Sequence, residues 1–207
     1  MLDSIINEFD RALKVLTVSA PPQRPRPDSS IKTFYTLSTK EREEHSKYMR
    51  VNHSGEVCAQ GLYRGQLFFN KNKDIHKQLE EAASEELDHL AWCQSRIKEL
   101  NGHTSHLNPF LYFGSFAIGS VASIVDEKYN LGFLSETEKQ VSSHLESHLS
   151  KISSKDIRTI AIIKKMKDDE EKHEASAKEM GGKELPEFIQ KIMKLTSKFM
   201  TASTFKI

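Results

Sequence analysis

Glu86 and His89, in the stretch "EELDHL" at residues 85–90, and Glu170 and His173, in "DEEKHE" at residues 169–174, are two copies of one pattern, Glu-x-x-His. Residues three apart share a helix face, so each copy would present a carboxylate beside an imidazole. Both copies fall on apolar stripes. Leu79, Ala82, Glu86, His89, Cys93, Ile97 and Leu100 follow steps of three and four, and so do Ile160, Ile163, Met166, Glu170, His173, Ala177 and Met180. A carboxylate left bare among apolar neighbours costs several kcal/mol, so it must be protonated, paired or bound to a metal. One Glu-x-x-His is a weak sign of a metal site; two at core positions of different helices are a strong one.

A bundle holding two metals between four helices needs one further Glu from each of the other two. Glu56 lies on a stripe with Met49, Asn52, Ala59 and Tyr63, and Glu138 is aligned with Leu134, Val141, Leu145 and Leu149. Glu56 precedes Glu86 by 30 residues and Glu138 precedes Glu170 by 32, so the chain reads as two similar helix pairs joined by a crossover at about 101–134. Four carboxylates and two imidazoles suit iron or manganese and show no thiolate preference for zinc. Four negative charges balance two divalent ions, and carboxylates that swing between terminal and bridging modes suit redox chemistry with dioxygen. The competing reading is a run of solvated acids, since Glu85, Glu99, Asp168 and Glu171 flank the sites. Those acids fall on polar faces of their helices, whereas the six candidate ligands do not.

The elements that must position these residues are helical throughout. A first helix is predicted at about 2–18, then a linker, "APPQRPRPDSS", in which four of the six prolines cluster and which cannot continue a helix. The next helix should begin at Ser38, where "STKE" offers a cap with Glu41 three residues on, and run to about Asn70. Further helices are expected at about 74–100, from Pro109 to "YNLG", after Ser135, and at about 154–180, where Gly181 and Gly182 end the last of these; Pro186 opens a final one. This divides the chain into an N-terminal helix (1–19), a linker (20–37), a metal-binding helical domain (38–182) with an apolar crossover helix at about 109–131, and an amphipathic C-terminal segment (183–207).

With 207 residues, the chain suffices for one domain with a sizeable core. Its net charge of +1 provides no global field for nucleic acid. Two cysteines, Cys58 and Cys93, without paired spacing exclude a Cys-based zinc or iron–sulfur site and are read as small core residues. The first residues, "MLDSIINEFDRAL", lack the basic start and apolar run of a secretory signal, so an intracellular protein is expected.

Several stretches together resemble one family: "MRVNHSGE" (49–56), "EELDHL" (85–90), "YFGSFAIGS" (112–120), "LGFLSETEKQV" (131–141), "HLESHL" (144–149), "DDEEKH" (168–173) and the closing "MKLTSKFMTASTFKI". The chain is similar to bacterial-type demethoxyubiquinone hydroxylases, di-iron monooxygenases of ubiquinone biosynthesis. The resemblance implies an all-α, ferritin-like four-helix bundle with peripheral helices and two iron ions on Glu56, Glu86, His89, Glu138, Glu170 and His173. Glu86 and Glu170, each sharing a helix face with a histidine, are favoured as bridging carboxylates, with the mode of each left open, and dioxygen would be the cosubstrate. It implies hydroxylation of a demethoxyubiquinone ring, as quinone or quinol, with electrons from a reduced nicotinamide, for which the chain has no glycine-rich fingerprint. His144 is a candidate for the shell behind the ligands, and His53 a weaker one, each able to hydrogen-bond a carboxylate or assist proton transfer; His148, one turn beyond His144, is expected to be exposed. Tyr63 reads either as a contact to a ligand or substrate or as packed core.

The implied substrate carries a polyprenyl tail and resides in a membrane. The 16 uncharged residues 110–125, "FLYFGSFAIGSVASIV", fall short of the roughly 20 needed to cross a bilayer. Gly114, Gly119 and the small residues among them would allow close packing or open a channel for the tail. In the last helix Phe188, Ile192, Leu195 and Phe199 form an apolar face opposite Lys191, Lys194 and Lys198, able to lie on an anionic membrane or to cover the bundle. The implied partners are the quinone, the membrane surface and other ubiquinone-biosynthesis proteins, with a homo-oligomer also open. The implied place is the cytoplasmic side of a bacterial inner membrane, or the matrix side of the mitochondrial one for an organellar protein. The rival readings are a ferritin-like iron oxidase or peroxidase, and a non-catalytic helical quinone- or lipid-binding protein.

Overall fold

The computed structural model describes residues 2–17, 21–32 and 36–207; parts of the expected first helix and linker, at 1, 18–20 and 33–35, lie outside the described residues. The described residues form helices α1 (Leu2–Thr17), α2 (Thr39–Phe69), α3 (Lys73–Glu99), α4 (Asn108–Val125), α5 (Glu127–Leu149), α6 (Ile157–Glu179) and α7 (Glu187–Thr204), and no strand. The four long helices α2, α3, α5 and α6 make a ferritin-like bundle in which α2 pairs with α3 and α5 with α6. Helix α4 crosses between the pairs along α2.

Side-chain chemistry sets the helix starts. At α2, Ser38 accepts from the Glu41 N–H while the Glu41 carboxylate accepts from the Ser38 N–H, a reciprocal capping box. Asn72, Asp126 and Asp156 cap α3, α5 and α6 through their side chains. Asp126 corrects the expected layout: the crossover helix ends at Val125, not near 131, and α5 begins at Glu127, well before Ser135. The Asp126 carboxylate accepts from the N–H groups of Lys128 and Tyr129 at 2.9 and 3.2 Å, so the chain breaks one helix and starts another within a residue. Gly132 is therefore not a stop; it lies inside α5 where the Lys183 carbonyl approaches too closely for any Cβ.

The core lies between the pairs. Met49, Trp92, Cys93, Ile97, Leu145, Ile162, Ile163 and Met166 fill one end, and Tyr63, Leu67, Ile75, Leu79, Leu134 and Ala177 the other. Helix α1 docks through Ala12 and Val15 against Val57, Leu90 and Tyr112, with Glu8 paired to Arg64. The proline-rich stretch then runs as a strap beside α3 and α6: Arg24 reaches Asp88 and Asp169, and farther along Asp28 accepts from Arg26 and Arg158.

Glycines set the seat of α4. A Cβ at Gly61 or Gly65 would run into the Tyr112 or Phe116 carbonyl, and one at Gly119 into the Leu62 carbonyl. Gly119 thus serves close packing, whereas Gly114 faces open space and does not. The far side of α4 carries Phe110, Phe113, Val121, Ile124 and Val125 in the open, and α7 leaves Phe188, Ile192, Leu195 and Phe199 exposed, so its apolar face does not cover the bundle. Gly65→Ala is predicted to lower stability by about 2 kcal/mol, roughly 6 °C in Tm. Gly114→Ala is predicted to raise it by about 0.5–1 kcal/mol, so thermal melts of the two should move in opposite directions.

Candidate metal centre

Two groups of side chains converge in the middle of the bundle. One ligand atom from each of Glu56, Glu86, His89 and Glu170 lies within 4.8 Å of the others, and the same holds for Glu86, Glu138, Glu170 and His173. Each of the four helices supplies its share: Glu56 from α2, Glu86 and His89 from α3, Glu138 from α5, Glu170 and His173 from α6. Glu86 and Glu170 belong to both groups. All but His173 are buried, and its side chain is only 11% exposed.

The rings are oriented by what stands behind them. His89 turns Nδ1 to Glu86, 2.9 Å away, and to Glu170 at 3.4 Å, while Nε2 lies 3.2 Å from Asp169 Oδ2. His173 turns Nδ1 to Glu86 at 3.2 Å and Glu170 at 3.5 Å, while Nε2 faces Glu85 at 3.4 Å. The acid that precedes each central glutamate thus reaches across to the histidine of the opposite helix. An outward carboxylate of this kind fixes both tautomer and ring orientation in a metal-ligating histidine. Sequence reading missed both. Glu85 looks like a solvated flanking acid, and Asp169, although 1% exposed, sits on the flank of its own helix stripe. The signal available was their matched position, one residue before each Glu-x-x-His.

Burial, together with the carboxylates of Glu86 and Glu170, pushes the Glu56 carboxyl well above its ordinary range. Glu138 is driven the same way by burial and the same two neighbours. At Glu86, burial is outweighed by His89 and His173, which hold that carboxyl low. The Tyr63 hydroxyl donates to Glu138 Oε1 at 2.6 Å, so this packed core tyrosine also touches a candidate ligand. Buried atoms nevertheless stay without hydrogen-bond partners: Glu86 Oε1, both oxygens of Glu170 and Nδ1 of His173. Buried polar atoms are normally satisfied, and oxygen and imidazole donors clustered this closely fit a metal site.

The remaining histidines stand apart. His148 is buried, not exposed: its Nδ1 lies 2.7 Å from Asn52 Oδ1. His144 packs edge-on to His148, with ring centroids 4.0 Å apart, and makes no hydrogen bond to the six among the described residues; its Nε2 has no partner. His53 accepts at Nδ1 from the Asn108 side chain at 3.3 Å, a bond that ties α2 to the start of α4. Cys93 contacts Met166 in the core, and burial raises the Cys58 thiol to about 11.

Residues 43–204 match the family described as "Ubiquinone biosynthesis protein COQ7". The chain belongs to that family. Among curated relatives, the 3-demethoxyubiquinol 3-hydroxylase of Polynucleobacter necessarius subsp. necessarius is 49% identical over 206 residues, covering 100% of this chain and 99% of the relative. Proteins of the same name from Chromobacterium violaceum (45% identical, 100% of both chains) and Bordetella parapertussis (47%, 99% of this chain and 92% of the relative) agree. The stretch matched to the family contains all six central residues, Glu85 and Asp169.

Two predictions follow from the electrostatics. The Glu56 carboxyl keeps its proton in the fold but ionises in the unfolded chain, a cost that Glu56→Gln removes, so the metal-free protein should melt about 2–4 °C higher, a gain of about 1 kcal/mol, while binding divalent metal more weakly. Burial, reinforced by neighbouring His144 and Lys151, drops His148 to about 2, whereas an unfolded histidine titrates near 6.5. Below pH 6.5 the unfolded chain therefore takes up a proton that the folded one refuses, and stability falls as pH falls. Between pH 6.5 and 5, urea unfolding of His148→Gln should lose about 1.5 kcal/mol less stability than the parent.

Proposed function

We propose that this protein is a 3-demethoxyubiquinol 3-hydroxylase: a dioxygen-dependent monooxygenase that places a hydroxyl group on the ring of a demethoxyubiquinol in ubiquinone biosynthesis. The observation that carries the reading is the pair of interlocked Glu/His groups with unsatisfied buried donor atoms, in a chain that aligns along its whole length with relatives of that name.

Glu56 and His89 would hold one iron and Glu138 and His173 the other. Glu86 and Glu170, common to both groups, would bridge them. Iron bound there supplies dioxygen activation and transfer of one oxygen atom to the ring; the other oxygen leaves as water, with two electrons from a reductant such as a reduced nicotinamide. The chain's own residues set the conditions. Tyr63 holds Glu138 by its hydroxyl, so that carboxylate keeps a defined orientation. Asp169 and Glu85 keep Nδ1 of each histidine turned inward. Met49, Cys93, Met166 and Tyr63 close the core around the cluster and exclude water from it.

The substrate's tail calls for a surface at a membrane. Phe110, Val121, Ile124 and Val125 on α4, with Phe188, Leu195 and Phe199 on α7, offer apolar side chains to it, while Lys191, Lys194 and Lys198 line the groove between α7 and α5 on the other side of that helix. Helix α4 has 18 residues and is apolar enough to cross a bilayer by length and composition. It is locked along the charged helix α2, however, which favours an interfacial seat over a spanning one. Peripheral attachment at the cytoplasmic side of a bacterial inner membrane fits this surface.

Glu170→Ala and His173→Ala are each predicted to abolish hydroxylation of a demethoxyubiquinol, followed as product by chromatography, while circular dichroism retains the helical spectrum. Full turnover in both would overturn the assignment.

A further inference from the structure

We propose that Arg24, in the proline-rich strap, is a positioning residue for the metal centre: it grips together the two outer carboxylates, Asp169 and Glu85, that orient His89 and His173. The proposal rests on the reading that these histidines hold metal.

The strap is seated at this point by Asp88. One Asp88 oxygen accepts from the Gln23 N–H at 2.6 Å, and the other from the Arg24 N–H at 3.3 Å and from Arg24 Nε at 2.7 Å. Backbone and side chain of Arg24 are therefore fixed by one carboxylate. Its Nη1 then donates to Asp169 Oδ2 at 2.8 Å and to Glu85 Oε2 at 3.2 Å, and its Nη2 to the Glu85 carbonyl at 3.2 Å. A planar guanidinium offers these donors in one rigid fork, which a lysine cannot reproduce. Among the described residues Arg24 alone pairs with both outer carboxylates.

The atoms used are the ones that matter. Asp169 gives Oδ1 to Lys165 and Lys172 but Oδ2 to Arg24 and to His89 Nε2. Glu85 Oε2 is shared between Arg24 and His173 Nε2. The same oxygen on each acid thus meets the guanidinium on one side and the imidazole on the other. Glu85, half-exposed, would otherwise be free to turn to solvent. The guanidinium also lies over the Trp92 ring, 5.1 Å from its centroid, and that ring packs against His89 with centroids 5.3 Å apart. Pro21, Pro22, Pro25 and Pro27 limit the freedom of the strap, so little entropy is lost in holding the fork there.

A strap could do no more than tie down the N-terminal helix, and its second anchor separates that role from positioning. Arg26 pairs with Asp28 and Glu99 and touches neither outer carboxylate nor histidine. The test titrates Co(II) into metal-free full-length protein, reading affinity and visible absorption bands beside the melting temperature without metal. Arg24→Gln is expected to weaken Co(II) binding about tenfold, the usual order for losing an outer partner of a ligand, and to alter the bands. Arg26→Gln should lower the melting temperature yet keep both affinity and bands. Adding Arg24→Gln to an Asp169→Asn, Glu85→Gln background should cost little more, because its action passes through those acids. Parental affinity and bands in Arg24→Gln, or equal weakening in Arg26→Gln, would overturn the proposal while leaving the metal centre intact. A parent protein that takes up no Co(II) would remove the metal centre and the proposal together.

Discussion

Four carboxylates and two imidazoles packed into the centre of a helical bundle are the constraint to which the rest of this protein answers. A buried, uncompensated carboxylate costs several kcal/mol, and here they meet one another within ligand-to-ligand distances. Part of that cost is offset inside the cluster. Glu86 lies between His89 and His173, and Glu138 receives the Tyr63 hydroxyl. What is left over, notably the two Glu170 oxygens without a hydrogen-bond partner, fits a metal site. The fold tolerates the site because it buries a large apolar core at each end of it, from Trp92 and Ile162 to Leu79 and Leu67.

Rigidity around the cluster comes from ion pairs that join segments distant in the chain. Asp156 caps α6, accepts from Arg96 of α3 at 2.6 Å and pairs with His45 of α2 at 2.7 Å, so three bundle helices share one carboxylate. Asp28 of the strap does similar work between Arg26 and Arg158. Such buried pairs add little net stability over apolar packing, but losing one partner leaves an uncompensated charge. Their effect here is to hold the register of α2, α3 and α6, and so the positions of the candidate ligands those helices carry.

The same bundle has two kinds of surface. Most of it is solvated and charged, while the outer faces of α4 and α7 present large apolar side chains, Phe110 and Phe199 the most exposed among them. Glycine-mediated contact between α2 and α4 links that surface rigidly to the helix carrying Glu56. The candidate metal centre therefore sits one helix away from the exposed apolar face of α4.

The six central residues were legible from sequence because a helical period assigns each residue a face, and an acid or imidazole on an apolar face has few chemical explanations. The caps at Ser38 and the close of α6 at Gly181 were legible for the same local reason. The break at Asp126 was not: one residue leaves the apolar period undisturbed, and Gly132 reads as a stop until the Lys183 carbonyl is seen against it. The burial of His148 is not legible in sequence because its partner, Asn52, comes from another helix. Asp169 and Glu85 lie on the flanks of their helices, where period predicts solvent, and Arg24 lies in a linker with no period at all. Only the packing of α3 against α6, with the strap alongside, supplies the opposite imidazole or guanidinium that gives each of them a partner. Residue type and period determined which six acid and imidazole groups share the buried centre, because both are properties of a single helix. Tertiary structure decided which nitrogen of each histidine faces inward, because that depends on groups brought from elsewhere in the chain.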